Sequence, residues 1–376
     1  MRASDIKTED QPFTPSQEDI DQFNRIARRS CSDREAILAD MTKLAANCGL
    51  AYALLALYRQ QVECGFVLAD PTVPEGKEKR EFMDDTCGVN FRLLWNPHRE
   101  LRKNHALLIE RGVIAQKVDQ SKLINRDKDG KPCYLCPANI ALQNPKEILF
   151  PIEVCCEQYF LGANFAYIDN NHFTLMSAEH RCQRYRKHVL DVLADFVLQT
   201  SGQFRAIFNG LAGATIPWHE HFQVTTSAFP VEAIQIRSQD VQYRGAGIRA
   251  ARPLYYTPVW VVEGNRPAVV DAADRIISEW EKSDQDYHTE NVIGSACGEH
   301  LRLFVFLRDT RRLKGTGKFG DMASFECGGN IVLSYQPPPG RAHETNERAT
   351  FETASLNTVR RLLADIAPIV PNVEFA

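Results

Sequence analysis

Three polar side chains at alternating positions, His219, His221 and Gln223, form the stretch of this sequence best suited to chemistry. In an extended segment all three point to one face, because side chains alternate with a period of two. A neutral imidazole is a good nucleophile near pH 7, since its unperturbed pKa is about 6.5. A carboxamide can hydrogen-bond a phosphoryl oxygen without changing its charge. The pattern therefore favours attack on phosphorus, although two histidines can also share a strand face by chance.

A loop of small residues lies just before this motif, between strands that we predict at residues 204–208 and 222–225. Small residues let backbone N–H groups approach an anion closely, because no large side chain blocks them. The loop therefore suits a phosphate group, and its candidate substrate-binding residues are Asn209, Gly213, Ala214 and Thr215.

The segment from His219 to Gln223 resembles the His-x-His-x-Gln motif of the histidine-triad superfamily's transferase branch. That branch includes galactose-1-phosphate uridylyltransferase, the GDP-sugar phosphorylases and the diadenosine tetraphosphate phosphorylases. The resemblance implies that His221 is the nucleophile, that it carries a covalent nucleotidyl group, and that Gln223 contacts the transferred phosphoryl group. The hydrolase branch has a third histidine in place of Gln223, so the resemblance favours transfer over hydrolysis. Pro217-Trp218 departs from the family, in which a smaller polar residue precedes the first histidine.

A Cys-x-x-Cys pair, Cys133 and Cys136, has the spacing that chelates one tetrahedral zinc ion. A redox pair would need a strand-to-helix setting, and we expect no convincing helix after Pro137. The resemblance to uridylyltransferases implies the other two ligands, His180 and His219. Zinc would then be structural, holding the catalytic strand and leaving His221 to face the substrate. The alternative is two reduced cysteines and a surface histidine.

Further candidate substrate contacts follow from the same resemblance. Asn164-Phe165-Ala166 resembles the family's segment beside the nucleotide, so Asn164 is a candidate nucleotide contact; otherwise it is a turn residue. Arg92 and Arg99 flank an Asn-Pro pair that precedes phosphate-binding residues in the family, although both also suit a solvated surface. The basic, glycine-containing stretch 308–320 is not a P-loop, but it could be a mobile phosphate-binding loop or a surface loop.

Composition bounds the possible partners and the compartment. The chain has 376 residues, a net charge of −4 and a pI near 6.2, so nothing calls for a nucleic acid or an anionic membrane as partner. Its apolar stretches are shorter than a membrane span, and residues 1–5 lack a signal-peptide core. Eleven scattered cysteines fit a reducing cytosol better than a disulfide framework, so we expect a cytoplasmic protein.

We predict an α+β fold of two tandem histidine-triad-like halves, each with an antiparallel sheet and flanking helices, after an N-terminal helical extension. The predicted boundaries are 1–85 for the extension, 86–235 for the first half with the zinc and catalytic motifs, and 236–376 for a degenerate second half. Capping patterns predict a first helix capped by Thr14, and a long apolar-faced helix is predicted at 181–201.

The sequence therefore predicts a nucleotidyltransferase that acts as a GDP-hexose phosphorylase-like enzyme, with structural zinc as its cofactor. Its partners would be a nucleotide sugar or dinucleotide and a phosphate or sugar phosphate, and the resemblance implies a possible homodimer. Three alternatives stay open: a sugar-1-phosphate uridylyl- or adenylyltransferase, a histidine-triad nucleotide hydrolase, and a non-catalytic zinc- or nucleotide-binding protein.

Overall fold

The computed structural model describes residues 14–68, 78–96, 104–127, 129–245, 247–313, 322–333 and 347–369. Arg99 and residues 314–320 of the basic stretch lie outside these ranges, so their predicted roles stay predictions. Within the described ranges, no helix is both long and apolar enough to cross a membrane.

The N-terminal segment is helical, as predicted, and consists of α1 (Gln17–Arg28), α2 (Arg34–Cys48) and α3 (Leu50–Glu63). Helix α1 is capped by Ser16 and not by Thr14, because the Ser16 side chain accepts from the Asp19 N–H while Asp19 accepts from the Ser16 backbone. Although the scattered cysteines fitted a reducing cytosol better than a disulfide framework, Cys31 and Cys64 form a disulfide within this segment.

A ten-stranded sheet dominates the rest of the molecule, and every neighbouring pair in it is antiparallel. In spatial order its strands are β3 (Leu149–Val154), β4 (Glu157–Ala163), β5 (Phe173–Ser177), β7 (His221–Thr225), β6 (Arg205–Asn209), β11 (His288–Cys297), β12 (His300–Asp309), β10 (Val259–Gly264), β9 (Ile248–Ala251) and β8 (Val241–Gly245).

The order of the strands divides the sheet into two successive parts of the chain. Residues 149–225 form one half and residues 241–309 form the other, and they join where Asn209 of β6 pairs with Asn291 of β11. Each half contributes one long helix to the same apolar core, α6 (Lys187–Gln199) and α7 (Arg266–Ser283). The mixed helices and antiparallel sheet confirm the predicted α+β class; the boundaries at 85 and 235 stay predictions.

Helix α6 is shorter than the helix predicted at 181–201. Residues 181–186 leave the helix because their side chains and backbone bind the segment around His221, as described below. The apolar residues on which the helix was predicted, Val189 to Val197, all lie within the shorter α6.

Among the described residues, the opposite face of the large sheet is covered mainly along its second half. There a second apolar core holds a three-stranded sheet of β1 (Glu78–Asp84), β2 (Val89–Trp95) and β13 (Asn330–Val332), with the C-terminal helices α8 (Ser324–Cys327), α9 (Glu347–Thr353) and α10 (Leu356–Asp365) nearby. In the first half the same face borders a cavity instead, beside α4 (His105–Glu110) and α5 (Pro137–Gln143).

Candidate active site

The register of β5 and β7 puts His221 and Gln223 on the face of the sheet that borders the cavity. His221 lies opposite Met176 and Gln223 lies opposite Thr174, so these four side chains share one face. Phe222 points to the other face and is fully buried in the core. The strand begins at His221, one residue earlier than predicted, and His219 lies in the turn just before it.

A glutamine between the strands opens the sheet beside His221. The Gln183 carboxamide donates to the backbone oxygens of Asn209 (2.9 Å) and His221 (2.8 Å) and accepts from the His221 N–H (2.7 Å). The ladder between β6 and β7 ends at Ile207 and Gln223, and the Gln183 bonds take its place at Asn209 and His221, so the loop of residues 210–220 can leave the sheet there. The sequence carried no signal for Gln183, which fell inside the predicted long helix.

The tautomer of His221 follows from its neighbour. Its Nδ1 lies 2.8 Å from the carbonyl oxygen of His219. Because a carbonyl can only accept, Nδ1 carries the hydrogen and Nε2 keeps its lone pair. Burial lowers the pKa of His221 to about 4, so the imidazole is neutral near pH 7. A neutral imidazole with an available Nε2 is the form that can attack an electrophile.

Glu220, between the two histidines, holds this segment in place through hydrogen bonds to its side chain. Its carboxylate is fully buried and accepts from Tyr159 Oη (2.9 Å), from Arg181 Nε (3.0 Å) and from Arg186. A buried carboxylate needs such partners, because an unpaired one would cost several kcal/mol. Glu220 therefore fixes where His219 and His221 stand, a role that no sequence motif indicated.

The predicted metal ligands come together in the structure. One donor atom from each of Cys133, Cys136, His180 and His219 lies within 4.8 Å of the others, so this set could hold a metal ion. His219 Nε2 is 3.0 Å from the Ser177 carbonyl oxygen and therefore donates to it. Nδ1 therefore carries no hydrogen, and its lone pair, which can bind a metal ion, faces the cysteines and His180.

One local prediction at this cluster is wrong. Helix α5 starts directly after Cys136, although no convincing helix was expected there. Pro137 stands in the first turn, where a missing N–H costs nothing and the fixed φ suits a helix. The cysteine pair therefore does precede a helix, but both thiols also face histidines, at distances of 3.3–3.6 Å.

The conformation of the loop before His219 depends on a glycine, Gly213. Gly213 has φ +93°, and a Cβ there would lie 2.5 Å from the Cβ of Ala323. Within the described part of the chain, no hydrogen-bond acceptor contacts the backbone N–H groups of Gly213, Ala214 and Thr215. Such N–H groups are ready to bind an anion.

Asn209 is a supporting residue at the root of this loop. Its side-chain oxygen accepts from Ser324 Oγ (2.6 Å), the Ser324 N–H (3.0 Å) and Asn291 Nδ2 (3.0 Å). Asn291 also donates to the Ala212 carbonyl oxygen (2.9 Å). The oxygen of Asn209 is thus fully engaged, and its predicted contact with substrate, which stays a prediction, would have to come from its NH₂ group.

A cavity of about 550 Å³ adjoins the motif, a size suited to a nucleotide. Its lining includes Thr174 and Met176, the cross-strand neighbours of Gln223 and His221, together with Ile216 from the loop. Asn164 also lines it, while its side-chain oxygen accepts from the Ala166 N–H (3.0 Å). The oxygen of Gln223 is buried and has no partner among the described residues.

The predicted basic residues lie elsewhere. Arg92 is on β2, where it donates to the Ala228 carbonyl oxygen (2.8 Å), and none of its described contacts reaches the loop; its phosphate role stays a prediction. Arg308, assigned to a mobile or surface loop, is fully buried on β12 and donates to the Met322 carbonyl oxygen (3.0 Å), so both assignments are wrong for it. The alternation of β12 makes it an inward-facing residue.

Comparisons with known proteins agree with this architecture. A family described as "Domain of unknown function (DUF4922)" matches residues 85–226, less than half of the chain, and these residues include the cysteine pair and the histidine motif. No curated protein matches the sequence significantly.

Solved structures give a match to the fold. Yeast Ap4A phosphorylase Apa2 in complex with AMP is 12% identical, with a TM-score of 0.52 over 84% of this chain and 94% of that one. A second structure of the same phosphorylase is 11% identical, with a TM-score of 0.51 over 84% of this chain and 95% of that one. The chain therefore shares the overall fold of this phosphorylase, which confirms the fold class predicted from the sequence.

Proposed function

We propose that this chain is a nucleotidyltransferase that cleaves nucleotide sugars with phosphate, through a covalent nucleotidyl group on His221 Nε2. The observation that carries the proposal is the buried, neutral imidazole, whose Nδ1–H is bound to the His219 carbonyl and whose Nε2 is left with its lone pair. The adjoining cavity and the fold shared with a yeast phosphorylase support it.

In the first step, His221 Nε2 attacks the α-phosphorus of the bound nucleotide. A phosphorus–nitrogen bond forms, and the bond from that phosphorus to the bridging oxygen breaks. The sugar 1-phosphate leaves with the electron pair. The imidazole gains positive charge, which the bond from Nδ1–H to the His219 carbonyl stabilises. The N–H groups of residues 213–215 and the Gln223 carboxamide would stabilise charge on the phosphoryl oxygens.

In the second step, an oxygen of inorganic phosphate attacks the same phosphorus. The phosphorus–nitrogen bond breaks, and its electrons return to Nε2 as the lone pair. The products are a nucleoside diphosphate and a sugar 1-phosphate, and His221 is regenerated. A sugar phosphate as acceptor would instead give a uridylyl- or adenylyltransferase type of exchange.

Zinc is the metal that we propose for the four-residue cluster. With zinc–sulfur distances of about 2.3 Å and zinc–nitrogen distances of about 2.0–2.1 Å, a tetrahedral site puts nitrogen and sulfur ligands about 3.6 Å apart and two nitrogens about 3.4 Å apart. His219 Nδ1 lies 3.4 and 3.6 Å from the two sulfurs and 3.3 Å from His180 Nδ1, so the donor set fits. With four protein ligands, the ion would be structural and would hold the His219 backbone that orients His221.

A dinucleotide is the second candidate substrate, since the fold is shared with an Ap4A phosphorylase. Mass spectrometry of products tests both candidates. The protein is incubated with GDP-, ADP- and UDP-hexoses and with Ap4A, each with and without inorganic phosphate. We expect a nucleoside diphosphate and a sugar 1-phosphate, formed only with phosphate. Nucleoside monophosphate formed without phosphate would indicate a hydrolase, and no turnover of any compound with any acceptor would contradict the proposal.

Substitution of Gly213 tests the phosphate-binding loop. Gly213→Ala should lower turnover at least about tenfold, because the new Cβ strains a positive-φ position and overlaps Ala323, which moves the N–H groups. Steady-state kinetics measures the effect. Gly298→Ala is the matched control, since Gly298 also has positive φ (+57°) but its Cβ would meet nothing within 4 Å. Equal turnover of the two variants would contradict a role for this loop.

A further inference from the structure

A buried carboxyl group lies on the same sheet face as His221, two strands away. Gly162 of β4 pairs with Thr174 of β5, which in turn pairs with Gln223 of β7. A Cβ on Gly162 would overlap Glu147 Oε1, so the absence of a side chain there lets the carboxyl group lie over the sheet. Neighbouring strands are about 4.8 Å apart, so this carboxyl stands roughly 10 Å from Gln223.

Glu147 has fewer partners than a buried carboxylate needs. It is only 6% exposed, it lines the cavity, and its Oε2 accepts from Asn144 Nδ2 at 2.7 Å. Burial raises its pKa to about 7, so near neutral pH both protonation forms are present, and N–H donors from a ligand would stabilise the carboxylate. The lone pairs of Oε1 are therefore available to N–H donors that enter the cavity.

A polar side chain with an unpaired donor lines the same cavity. Gln143, at the end of α5, also lines the cavity, and its Nε2 is buried with no hydrogen-bond partner among the described residues. Buried polar groups are almost always paired, so an orphaned donor in a binding cavity points to a ligand acceptor. The cavity thus presents one amide donor next to two carboxylate acceptors.

We propose that Glu147 and Gln143 recognise the Watson–Crick edge of guanine in the substrate nucleotide. This inference rests on the proposed function, in which His221 attacks the α-phosphorus of the same nucleotide. The guanine N1–H and N2–H₂ groups donate to the two oxygens of Glu147, and the guanine O6 accepts from Gln143 Nε2. The separation of about 10 Å across two strands suits the span from a base edge to its α-phosphate.

Other bases match this set of groups less well. Adenine offers one donor, its amino group, and its N1 is an acceptor that would face a carboxylate oxygen. Uracil offers a single N–H flanked by two carbonyl oxygens, one of which would face a carboxylate oxygen. Because polar groups left unpaired on binding are costly, the site should favour guanine at least about tenfold over either base.

The apolar walls of the cavity fit a purine ring. Leu123, Ile140 and Leu135 line it together with Tyr134, whose ring is 55% exposed at the rim. Aromatic and aliphatic side chains bind the faces of a base, while a few polar groups bind its edge.

Calorimetric titration of the full chain with GDP, ADP, UDP and xanthosine diphosphate tests the inference. The wild type should bind GDP at least about tenfold more tightly than ADP or UDP. In Glu147→Gln, the new amide accepts from N1–H and donates to the O2 of xanthine. GDP affinity should therefore fall at least about tenfold while that for xanthosine diphosphate rises. Glu153→Gln, the same change at an exposed position on β3, should alter neither affinity.

The outcomes of these experiments test the guanine site and the proposed reaction separately. A wild type without GDP preference, or a Glu147→Gln variant with unchanged preference, would overturn the inference. If that variant does not fold, Gln143→Ala replaces it and should weaken GDP binding, since O6 loses its donor; unchanged binding would overturn the inference. GDP-selective binding without any turnover would contradict the proposed function alone, and faster turnover of ADP- or UDP-hexoses than of GDP-hexoses would contradict the guanine site alone.

Discussion

His221→Ala is expected to lower turnover by at least about 10⁴-fold, the largest effect of any single substitution in the site. The variant loses the imidazole that we propose forms the covalent intermediate. Because His221 contributes its backbone, and not its side chain, to the bonds with Gln183, the fold should persist. Product formation under saturating substrate measures the effect.

A matched histidine substitution controls for the change of residue type. His300→Ala alters an exposed position on β12, far from the motif in the strand order, and should turn over at the wild-type rate. Near-normal turnover by His221→Ala, with a melting temperature equal to that of the control, would rule out the covalent mechanism.

Loss of a metal ligand is expected to have the second large effect, on stability as well as turnover. Cys136→Ser should remove the bound zinc and lower the free energy of unfolding by about 4 kcal/mol or more, as when a metal site is lost. In a chain of 376 residues, a change of that size lowers the melting temperature by roughly 5 °C. Turnover should fall too, because His219 would lose the bond that fixes its carbonyl against His221. Metal content and thermal unfolding are the measurements.

Cys182→Ser provides the control for the metal experiment, since Cys182 is an exposed free thiol close in sequence to His180. It should retain one zinc ion per chain and the wild-type melting temperature. A purified wild type without zinc, or a Cys136→Ser variant as stable as the control, would contradict the proposed metal site.

The parts of the site that were predictable from sequence are those with short-range patterns. Alternation placed His221 and Gln223 on one face, and the spacing of Cys133 and Cys136 identified two metal-ligand candidates. Both patterns depend on residues a few positions apart, where local geometry fixes the side-chain directions.

The supporting residues could not be predicted, because each acts through a contact distant in sequence. Gln183 bonds to Asn209 and His221 across 26 and 38 positions, and Glu220 meets Tyr159 across 61. The position of Glu147 over Gly162 likewise arises only when the sheet forms. The apolar spacing from Val189 to Val197 was a real helical signal, but residues 181–186 carry no such spacing and instead bind the segment around His221.

Trapping the covalent intermediate tests the central claim most directly. The chain is mixed with each nucleotide sugar in the absence of phosphate and quenched, and its peptides are mapped by mass spectrometry under conditions that keep a phosphorus–nitrogen bond intact. We predict a nucleoside monophosphate adduct on His221 that disappears when inorganic phosphate is added, with release of the nucleoside diphosphate. Turnover that proceeds without any adduct, or an adduct on another residue with His221 unmodified, would contradict the account.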